Sequence, residues 1–256
     1  MDNSVTGPVP PPPAEPRASF WSAHRRRPVF LLLLAIGLIL FLIGLPGGAR
    51  AYLGTALIAN RGLVGLLSLF ALLTLSLIWS AGQRLDTRIF LFINLRAHPR
   101  WLNRFMFLAT QLGNMLTASI AAFLLFLGNN RGLAFEIILG TLTLWLVVET
   151  VKALTDRARP FLDLADTRII GWREPGRSFP SGHTAQVFFL ATLLSYRFSP
   201  GAGGIAALYA LAALVGFTRM YVGVHYPRDV IAGAVLGCVW GSLATIVDPY
   251  WLGLPF

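Results

Sequence analysis

Residues 62–81 read GLVGLLSLFALLTLSLIWSA, a stretch without a single charged side chain. An α-helix needs about 20 apolar residues to cross the roughly 30 Å of hydrocarbon in a bilayer. This stretch therefore predicts a transmembrane helix. Further apolar segments lie on both sides of it, at Val29–Leu45, Phe105–Leu127, Leu133–Val148, Thr184–Tyr196, Ile205–Phe217 and Val230–Val247. The pattern predicts an all-α, polytopic transmembrane helix bundle with six to seven spans.

The composition of the whole chain agrees with a membrane protein. Of its 256 residues, 55% are hydrophobic and 12% are charged, whereas soluble domains carry about 25% charged residues. Disordered, collagen-like and disulfide-rich chains are excluded, because the sequence is too apolar, lacks a Gly-X-Y repeat and has one cysteine. That residue, Cys238, lies in an apolar segment and is predicted to be a packing residue.

A net charge of +10 and a pI near 11.0 could indicate binding to nucleic acid. However, every basic residue except Lys152 is an arginine, and the arginines are spread over many short loops. We therefore predict that most of them meet lipid headgroups, so that bilayer lipids are partners and nucleic acid is not. The 11 acidic residues are too few and too scattered to build a carboxylate cage for a metal ion. Neither a metal nor a cofactor is predicted.

The sequence divides into four regions. Residues 1–28 contain a run of prolines and then Arg25–Arg27, which predicts a disordered, Pro-rich basic tail. Residues 29–82 are predicted to form N-terminal transmembrane helices, residues 83–247 the main helix-bundle domain, and residues 248–256 a short C-terminal tail. The first apolar segment also resembles a signal peptide. We favour a retained helix, because the charged leader is long and another span follows almost at once.

The segment Gln83–Arg104 interleaves arginines with apolar residues at helical spacing. Such a segment is typical of a helix that lies along the membrane surface. An interfacial anchor is the favoured interpretation, and a platform beside an anionic lipid is the alternative.

Three loops carry polar residues that a lipid-embedded bundle does not need. The first runs from Lys152 to Arg159-Pro160. Lys152 and Arg159 are seven residues apart, which would place them on one face of a helix that Pro160 then ends. Taken alone, two such cations could simply extend to lipid headgroups.

The second loop is Pro180-Ser181-Gly182-His183, directly before an apolar run. Ser181 is a natural N-cap, and the first amides of the helix that follows can bind an anion. Gly182 permits a close approach of the backbone to a ligand. A lone histidine at such a position is more often a plain interfacial residue.

The third loop contains Arg219, His225 and Asp229. Pro227 suits the first position of a helix, which places Asp229 in its first turn. His225 and Asp229 are four residues apart, so the carboxylate can accept a hydrogen bond from one imidazole nitrogen and leave the other as a nucleophile or base. A structural His–Asp pair that caps the helix is the alternative.

Together the loops supply two histidines, three cations and a set of free helix amides. Such donors suit a tetrahedral oxyanion, namely phosphate, and phosphoryl transfer depends mostly on positioning and on neutralising the charge of the oxygens. Arginine and lysine can do this without a metal. One histidine can attack phosphorus while the other protonates the leaving oxygen.

The three blocks resemble the tripartite signature of the type 2 phosphatidic acid phosphatase and vanadium haloperoxidase superfamily, and roughly residues 80–247 fit its membrane branch. One residue departs from the pattern: Thr218 stands where the family commonly has serine, and its hydroxyl can make the same hydrogen bond. The resemblance implies that His225 is the nucleophile that forms a phosphohistidine, that Asp229 orients it, and that His183 is the general acid. It also implies that the phosphate oxygens are held by Lys152, Arg159, Ser181, Gly182 and Arg219.

The resemblance implies no role for Asp156 or Arg157, nor for Glu136 and Glu149. For the two glutamates we favour structural pairing, and a role in headgroup selection is the alternative. A lipid phosphatase acting on phosphatidate, phosphatidylglycerol phosphate, a polyprenyl diphosphate or phosphorylated lipid A is the favoured function, and it is predicted to be independent of metal. A vanadate haloperoxidase is disfavoured because those enzymes are soluble. A non-catalytic membrane protein or transporter that binds lipid phosphate is disfavoured because both histidines and the aspartate are intact.

The charge distribution and the resemblance disagree about orientation. With seven spans, the tail and the three loops share one face that carries most of the basic residues, which indicates a cytoplasmic face. The resemblance implies an extracytoplasmic site in the cell membrane, which we favour. A first segment that re-enters the membrane or lies on its surface would leave six spans and reconcile the two.

Overall fold

The computed structural model describes residues 58–96 and 99–251, together with the isolated positions 36, 43, 44 and 55, and it describes side chains up to residue 245. The predicted tail at residues 1–28 lies outside the described residues, as does the first apolar segment apart from isolated positions. Throughout the described part the secondary structure is helical, without a strand, which confirms the all-α prediction.

The helices follow one another with short connections. In chain order they are α1 (Arg61–Leu75, extended by a 3₁₀ turn at Ser76–Ile78), α2 (Ser80–Asn94), α3 (Arg100–Thr110, extended by a 3₁₀ turn at Gln111–Gly113), α4 (Met115–Leu127), α5 (Arg131–Thr155), α6 (Pro160–Asp163), α7 (Gly182–Phe198), α8 (Gly201–Tyr221) and α9 (Pro227–Trp251). Each predicted apolar segment from residue 62 onward thus coincides with helix.

Three segments are long and apolar enough to cross a membrane by themselves: Arg61–Ile78, Arg131–Asp163 and Gly201–Tyr221. A fourth span arises if α3 and α4 count as one, although they meet at an angle of 60°. Large apolar side chains on these helices point outward, as Leu72 (64% exposed), Phe123 (60%) and Leu146 (60%) show. Because lipid tails solvate such surfaces, this pattern fits a membrane protein with three to four clear spans.

The apolar segment Phe105–Leu127 does not form one uninterrupted helix. The chain bends after Gly113, where Asn114 takes an extended conformation and its side chain accepts a hydrogen bond from the amide of Leu116 at 3.0 Å. Asparagine is a favoured N-cap, so this residue ends one helix and starts the next. The bend lets Gly113 pack against the backbone and Cβ of His183.

Helix α7 runs through the interior and packs closely against α9. A Cβ added to Gly237 of α9 would lie 2.3 Å from the carbonyl oxygen of Ala185, and one added to Gly233 would lie 2.5 Å from that of Ser181. Small residues at this spacing allow two helix backbones to approach closely, as is common in membranes. Farther along α7, Phe189 is completely buried in an apolar cluster with residues of α5.

Two local predictions about helix ends were wrong, for related reasons. Helix α5 ends at Thr155, because Asp156 adopts a left-handed conformation with φ 48° and ψ 32°, which aspartate tolerates better than most residues. Pro160 begins the short helix α6 rather than ending α5, and Arg159 before it is extended. Lys152 and Arg159 therefore do not share a helix face.

The segment Gln83–Arg104 is helical but not continuous, since α2 ends at Asn94 and α3 begins at Arg100. One face of α2 is buried against the protein through Asp86, Phe90 and Asn94. Asn94 ties this face to the third loop region, donating from Nδ2 to the carbonyl oxygens of Arg168 (2.8 Å) and Tyr221 (3.1 Å). The position of the segment at the membrane surface stays a prediction.

Candidate active site

The three polar loops meet at one end of the bundle. Arg159 and Arg219 are each 2% exposed, and His225 is 1% exposed. The Nη1 atom of Arg159 lies 3.4 Å from Nε2 of His225, and His183 lies within electrostatic range of Arg219 and Arg159. The structure therefore brings residues from all three blocks of the signature into one site.

Ser181 caps α7, as predicted. Its hydroxyl oxygen accepts a hydrogen bond from the Thr184 hydroxyl at 2.9 Å and, at 3.5 Å, from the Thr184 amide. Its own amide donates to the carbonyl oxygen of Asp229 at 3.0 Å, which joins the second loop to the third. The amides of Gly182 and His183 belong to the first turn of α7, where no carbonyl of the helix can accept from them.

Asp229 lies in the first turn of α9, which begins at Pro227 as predicted. Its contact with His225 is longer than predicted, because Oδ2 lies 3.6 Å from Nδ1, beyond the range of a direct hydrogen bond. The hydroxyl of Ser178 fills the gap: it donates to Oδ2 of Asp229 at 2.5 Å and lies 3.5 Å from Nδ1. Sequence reasoning missed Ser178, which stands outside the spaced motifs.

Arg157, to which the sequence assigned no role, holds the other side of this carboxylate. Its Nη1 donates to Oδ1 of Asp229 at 2.6 Å, and its Nη2 donates to Oδ2 of Asp86 at 2.6 Å. Asp86 also accepts from Nε of Arg228 at 2.6 Å. A buried chain of alternating charges therefore connects α2 to α9. The one signal in the sequence is that Asp86 is the sole acidic residue in the arginine-rich segment Gln83–Arg104.

Two of the predicted phosphate-binding arginines converge on Glu174, which lies in the loop between α6 and α7. Oε2 of Glu174 accepts from Nη1 of Arg159 at 3.1 Å, and Oε1 accepts from Nη2 of Arg219. Arg159 is further held by the carbonyl oxygens of Pro175 (3.2 Å) and Gly176 (3.3 Å). Sequence reasoning missed Glu174.

Lys152 lies apart from the two arginines. Its Nζ atom donates to Oε1 of Glu149 at 2.7 Å, although its charge still acts on both His183 and His225. The structural pairing predicted for the two glutamates is confirmed by this contact and by the ion pair of Glu136 with Arg197 at 3.4 Å.

The electrostatics of the site favour a neutral His225. Burial holds the pKa of its imidazole well below the usual range, and the positive charges of Arg159 and Arg219 act in the same direction. A neutral imidazole keeps a lone pair for attack on an electrophile. Among the described residues, no group of three or more histidine, cysteine, aspartate or glutamate side chains is placed to hold a metal ion.

Thr218, the residue that departs from the family pattern, is accommodated inside α8. Its hydroxyl donates to the carbonyl oxygen of Val215 at 2.6 Å.

Fold and site together define a class of protein: a helical membrane protein in which buried arginines and a neutral histidine lie beside the first turn of an interior helix. A family model described as the PAP2 superfamily matches residues 133–252. The lipid A 4′-phosphatase of Porphyromonas gingivalis is 30% identical over 183 residues, which cover 66% of this chain and 76% of that protein. The chain belongs to the PAP2 superfamily.

Two other comparisons support the same family. The undecaprenyl-diphosphatase of Sulfolobus acidocaldarius is 28% identical over 184 residues, or 71% of this chain and 88% of that protein. The crystal structure of a transmembrane PAP2 type phosphatidylglycerolphosphate phosphatase from Bacillus subtilis superposes with a TM-score of 0.62 at 25% identity, covering 73% of this chain and 96% of that one. With several further relatives the chain shares a shorter region, between 31% and 52% of their length.

Proposed function

We propose that this chain is a membrane lipid phosphatase that hydrolyses a phosphomonoester or diphosphate of a lipid through a phosphohistidine intermediate. The observation that supports this most strongly is that Arg159 and Arg219 bind one anionic group beside a buried His225. The named relatives act on lipid A, undecaprenyl diphosphate and phosphatidylglycerolphosphate. The substrate class proposed here is therefore phosphatidate, phosphatidylglycerol phosphate, a polyprenyl diphosphate or phosphorylated lipid A.

The proposed reaction begins with attack of Nε2 of His225 on phosphorus. Nδ1 carries the proton and points toward the hydroxyl of Ser178, which in turn donates to Asp229. The carboxylate thereby stabilises the positive charge that develops on the imidazole when the N–P bond forms. Arg157 on the far side keeps the carboxylate in place.

The bond between phosphorus and the leaving oxygen breaks as His183 donates a proton to that oxygen. The negative charge of a bound phosphate favours the protonated form of His183 that this step requires. Water then attacks the phosphohistidine, His183 accepts its proton, and inorganic phosphate is released with His225 regenerated. Each proton that leaves His183 in the first half returns to it in the second.

The charge of the transferred phosphoryl group is proposed to be neutralised by Arg159, Arg219 and Lys152, with the Ser181 hydroxyl and the Gly182 amide completing the site. The two arginines are already positioned, because surrounding carbonyl and hydroxyl oxygens hold them. Preorganised donors of this kind cost no reorganisation during the reaction, and this is a large part of catalysis.

We also propose that the complete bundle has six to seven spans and that residues 83–247 form the catalytic domain. Helices α7 and α9 pack against each other and against α5 in the interior, so they would cross the membrane shielded by neighbours. The active-site end is proposed to face the extracytoplasmic side of the cell membrane. Reporter fusions at the N-terminus and at Gly171 test this orientation, and activity of a cytoplasm-specific reporter at Gly171 would contradict it.

The function is tested by phosphate release from lipid substrates in detergent micelles. The wild-type protein should release phosphate from phosphatidate, phosphatidylglycerol phosphate or undecaprenyl diphosphate. His225→Ala should lose this activity, whereas the same substitution at His24 in the N-terminal segment should not. Activity that survives in His225→Ala, or absence of turnover with every member of the substrate class, would contradict the proposal.

A further inference from the structure

The Glu174 carboxylate lies where the proposed function requires a phosphate. It is bound by Arg159 and Arg219, the same two arginines that are proposed to hold the transferred group. These arginines are 2% exposed, whereas the glutamate side chain is 28% exposed. The glutamate thus enters the site from the solvent side, along the route that a phosphate headgroup would need.

A carboxylate does not use all the donors that this site offers. The Nε atom of Arg219 is buried and has no hydrogen-bond partner among the described residues. A buried donor without a partner costs free energy, and a ligand with more acceptor oxygens can recover it. A phosphate monoester presents three non-bridging oxygens, whereas Glu174 presents two.

The loop around Glu174 is built to keep the arginine in place when the carboxylate leaves. The carbonyl oxygens of Pro175 and Gly176 accept hydrogen bonds from Arg159, and these contacts do not depend on the glutamate side chain. Gly171 (φ +90°) and Gly176 (φ +84°) flank this loop segment and provide backbone conformations that other residues rarely adopt. Rotation of the glutamate side chain alone is therefore enough to free the guanidinium groups.

Protonation cannot open the site at neutral pH. The groups that act on the carboxylate are Arg159, Arg219 and the two site histidines. Burial acts to raise the pKa of the Glu174 carboxyl, but the charge of Arg219 outweighs it, and the pKa lies far below its usual value. Because Glu174 stays ionised, a competing anion has to displace it.

We propose that Glu174 is an internal competitor that occupies the two arginines until a phosphate group displaces it. This inference rests on the proposed function, since it concerns the same phosphate-binding arginines. A phosphodiester, such as an ordinary bilayer phospholipid, carries one charge and two non-bridging oxygens, so it offers the arginines no more than the glutamate does. The glutamate is also tethered, which gives it an effective concentration in the millimolar range.

A monoester or a diphosphate has an advantage over the glutamate in both its charge and its number of oxygens. At pH 7 a phosphomonoester carries a charge of about −1.5 to −2, and it has an additional oxygen for the unpaired donor of Arg219. Such a group can therefore displace Glu174, whereas the phosphodiesters that surround the protein have no advantage over it. Glu174 sets how tightly any anion must bind to enter the site, and it has no part in bond breaking.

The test compares Glu174→Gln with wild type and with Asp166→Asn, which removes one charge from an exposed position of the same loop region. Binding of inorganic phosphate and of a short-chain phosphatidylglycerol, a diester, is measured by calorimetry in detergent, each in a His225→Ala background so that turnover does not interfere. We expect Glu174→Gln to bind both the diester and phosphate at least about tenfold more tightly, and by similar factors, because a competitor that must leave weakens every ligand equally. Asp166→Asn should behave like its parent.

Unchanged or weaker diester binding in Glu174→Gln would overturn the proposal and leave Glu174 as a structural ligand of the arginines. Should this variant unfold in detergent, preparation in millimolar phosphate ought to restore it, and failure of phosphate to do so would also overturn the proposal. Glu174→Asp, with a shorter reach, should give an intermediate result. Failure of the proposed function is recognised separately, because the parent protein would then neither bind phosphate nor release it from lipids.

Discussion

Replacement of Arg157 by glutamine tests whether the buried charge chain supports Asp229, the carboxylate proposed to assist catalysis. Arg157 contacts Asp229 and Asp86 at 2.6 Å each, and its side chain is 6% exposed. Removal of one partner of a buried ion pair costs about 3–5 kcal/mol because a buried charge is left uncompensated. Asp86 keeps its ion pair with Arg228, so Asp229 is the carboxylate that loses its charged partner. We therefore expect the free energy of unfolding to fall by about 3 kcal/mol, the lower end of this range.

This destabilisation should appear in thermal unfolding of the purified protein. A loss of about 3 kcal/mol corresponds to a fall in Tm of roughly 6–12 °C for a chain of this size. The folded fraction should also lose activity, because misplacing a catalytic group by about 1 Å can cost about 10²-fold in rate. We expect this loss in kcat rather than in KM, since Arg157 does not contact the phosphate site.

The control for this variant is Arg84→Gln on the exposed side of α2, which removes the same charge without a buried partner. Adding Asp86→Asn to Arg157→Gln should cost less than the sum of the single changes, because the two side chains are in contact. The reasoning is refuted if Arg157→Gln melts within about 2 °C of wild type and keeps its kcat.

Four further outcomes are expected. Hydrolysis of lipid phosphates should persist in excess EDTA, and abolition by EDTA with rescue by magnesium would contradict the metal-independent assignment. Vanadate should inhibit, because its trigonal bipyramidal form mimics the transition state, and full turnover in millimolar vanadate would count against a phosphohistidine. His183→Ala should retain more activity on p-nitrophenyl phosphate than on phosphatidate, because p-nitrophenolate needs little protonation to leave. His225→Ala should lose at least ~10³-fold on both substrates. Equal residual activities of the two variants would show that the two roles are wrongly assigned. The kcat of Asp229→Asn should lie between those of wild type and His225→Ala, and the kcat of Ser178→Ala should fall less than that of Asp229→Asn. A wild-type kcat in both variants would exclude the proposed support of His225 by Asp229 through Ser178.

The helices could be predicted, and the candidate site residues proposed, because their signals are local. An uncharged stretch as long as residues 62–81 has few alternatives to a membrane helix, and α1 covers most of it. Ser181 and Pro227 were recognised as helix starts from their own chemistry. The spacing within each block could identify the histidines, but it could not give the 3.6 Å separation of His225 and Asp229.

The features that sequence reasoning missed depend on contacts between distant parts of the chain. Arg157 and Asp86 are 71 residues apart, and Ser178 and Asp229 are 51 apart. No periodicity links such pairs, since only tertiary packing brings the loops that carry Arg157 and Ser178 against α2 and α9. The bend at Asn114 and the left-handed Asp156 are single-residue conformations, which an apolar pattern averaged over a helix does not report.

The account's central claim, covalent catalysis by His225, is tested most directly by trapping the intermediate. Protein incubated with a ³²P-labelled substrate and quenched in alkali should carry label that is stable to base and labile to acid, on the peptide that contains His225. In His183→Ala the label should accumulate when the leaving group is p-nitrophenolate, because the water that resolves the intermediate has lost its base. Label that persists in His225→Ala, or the absence of any label in His183→Ala under single-turnover conditions, would contradict the account.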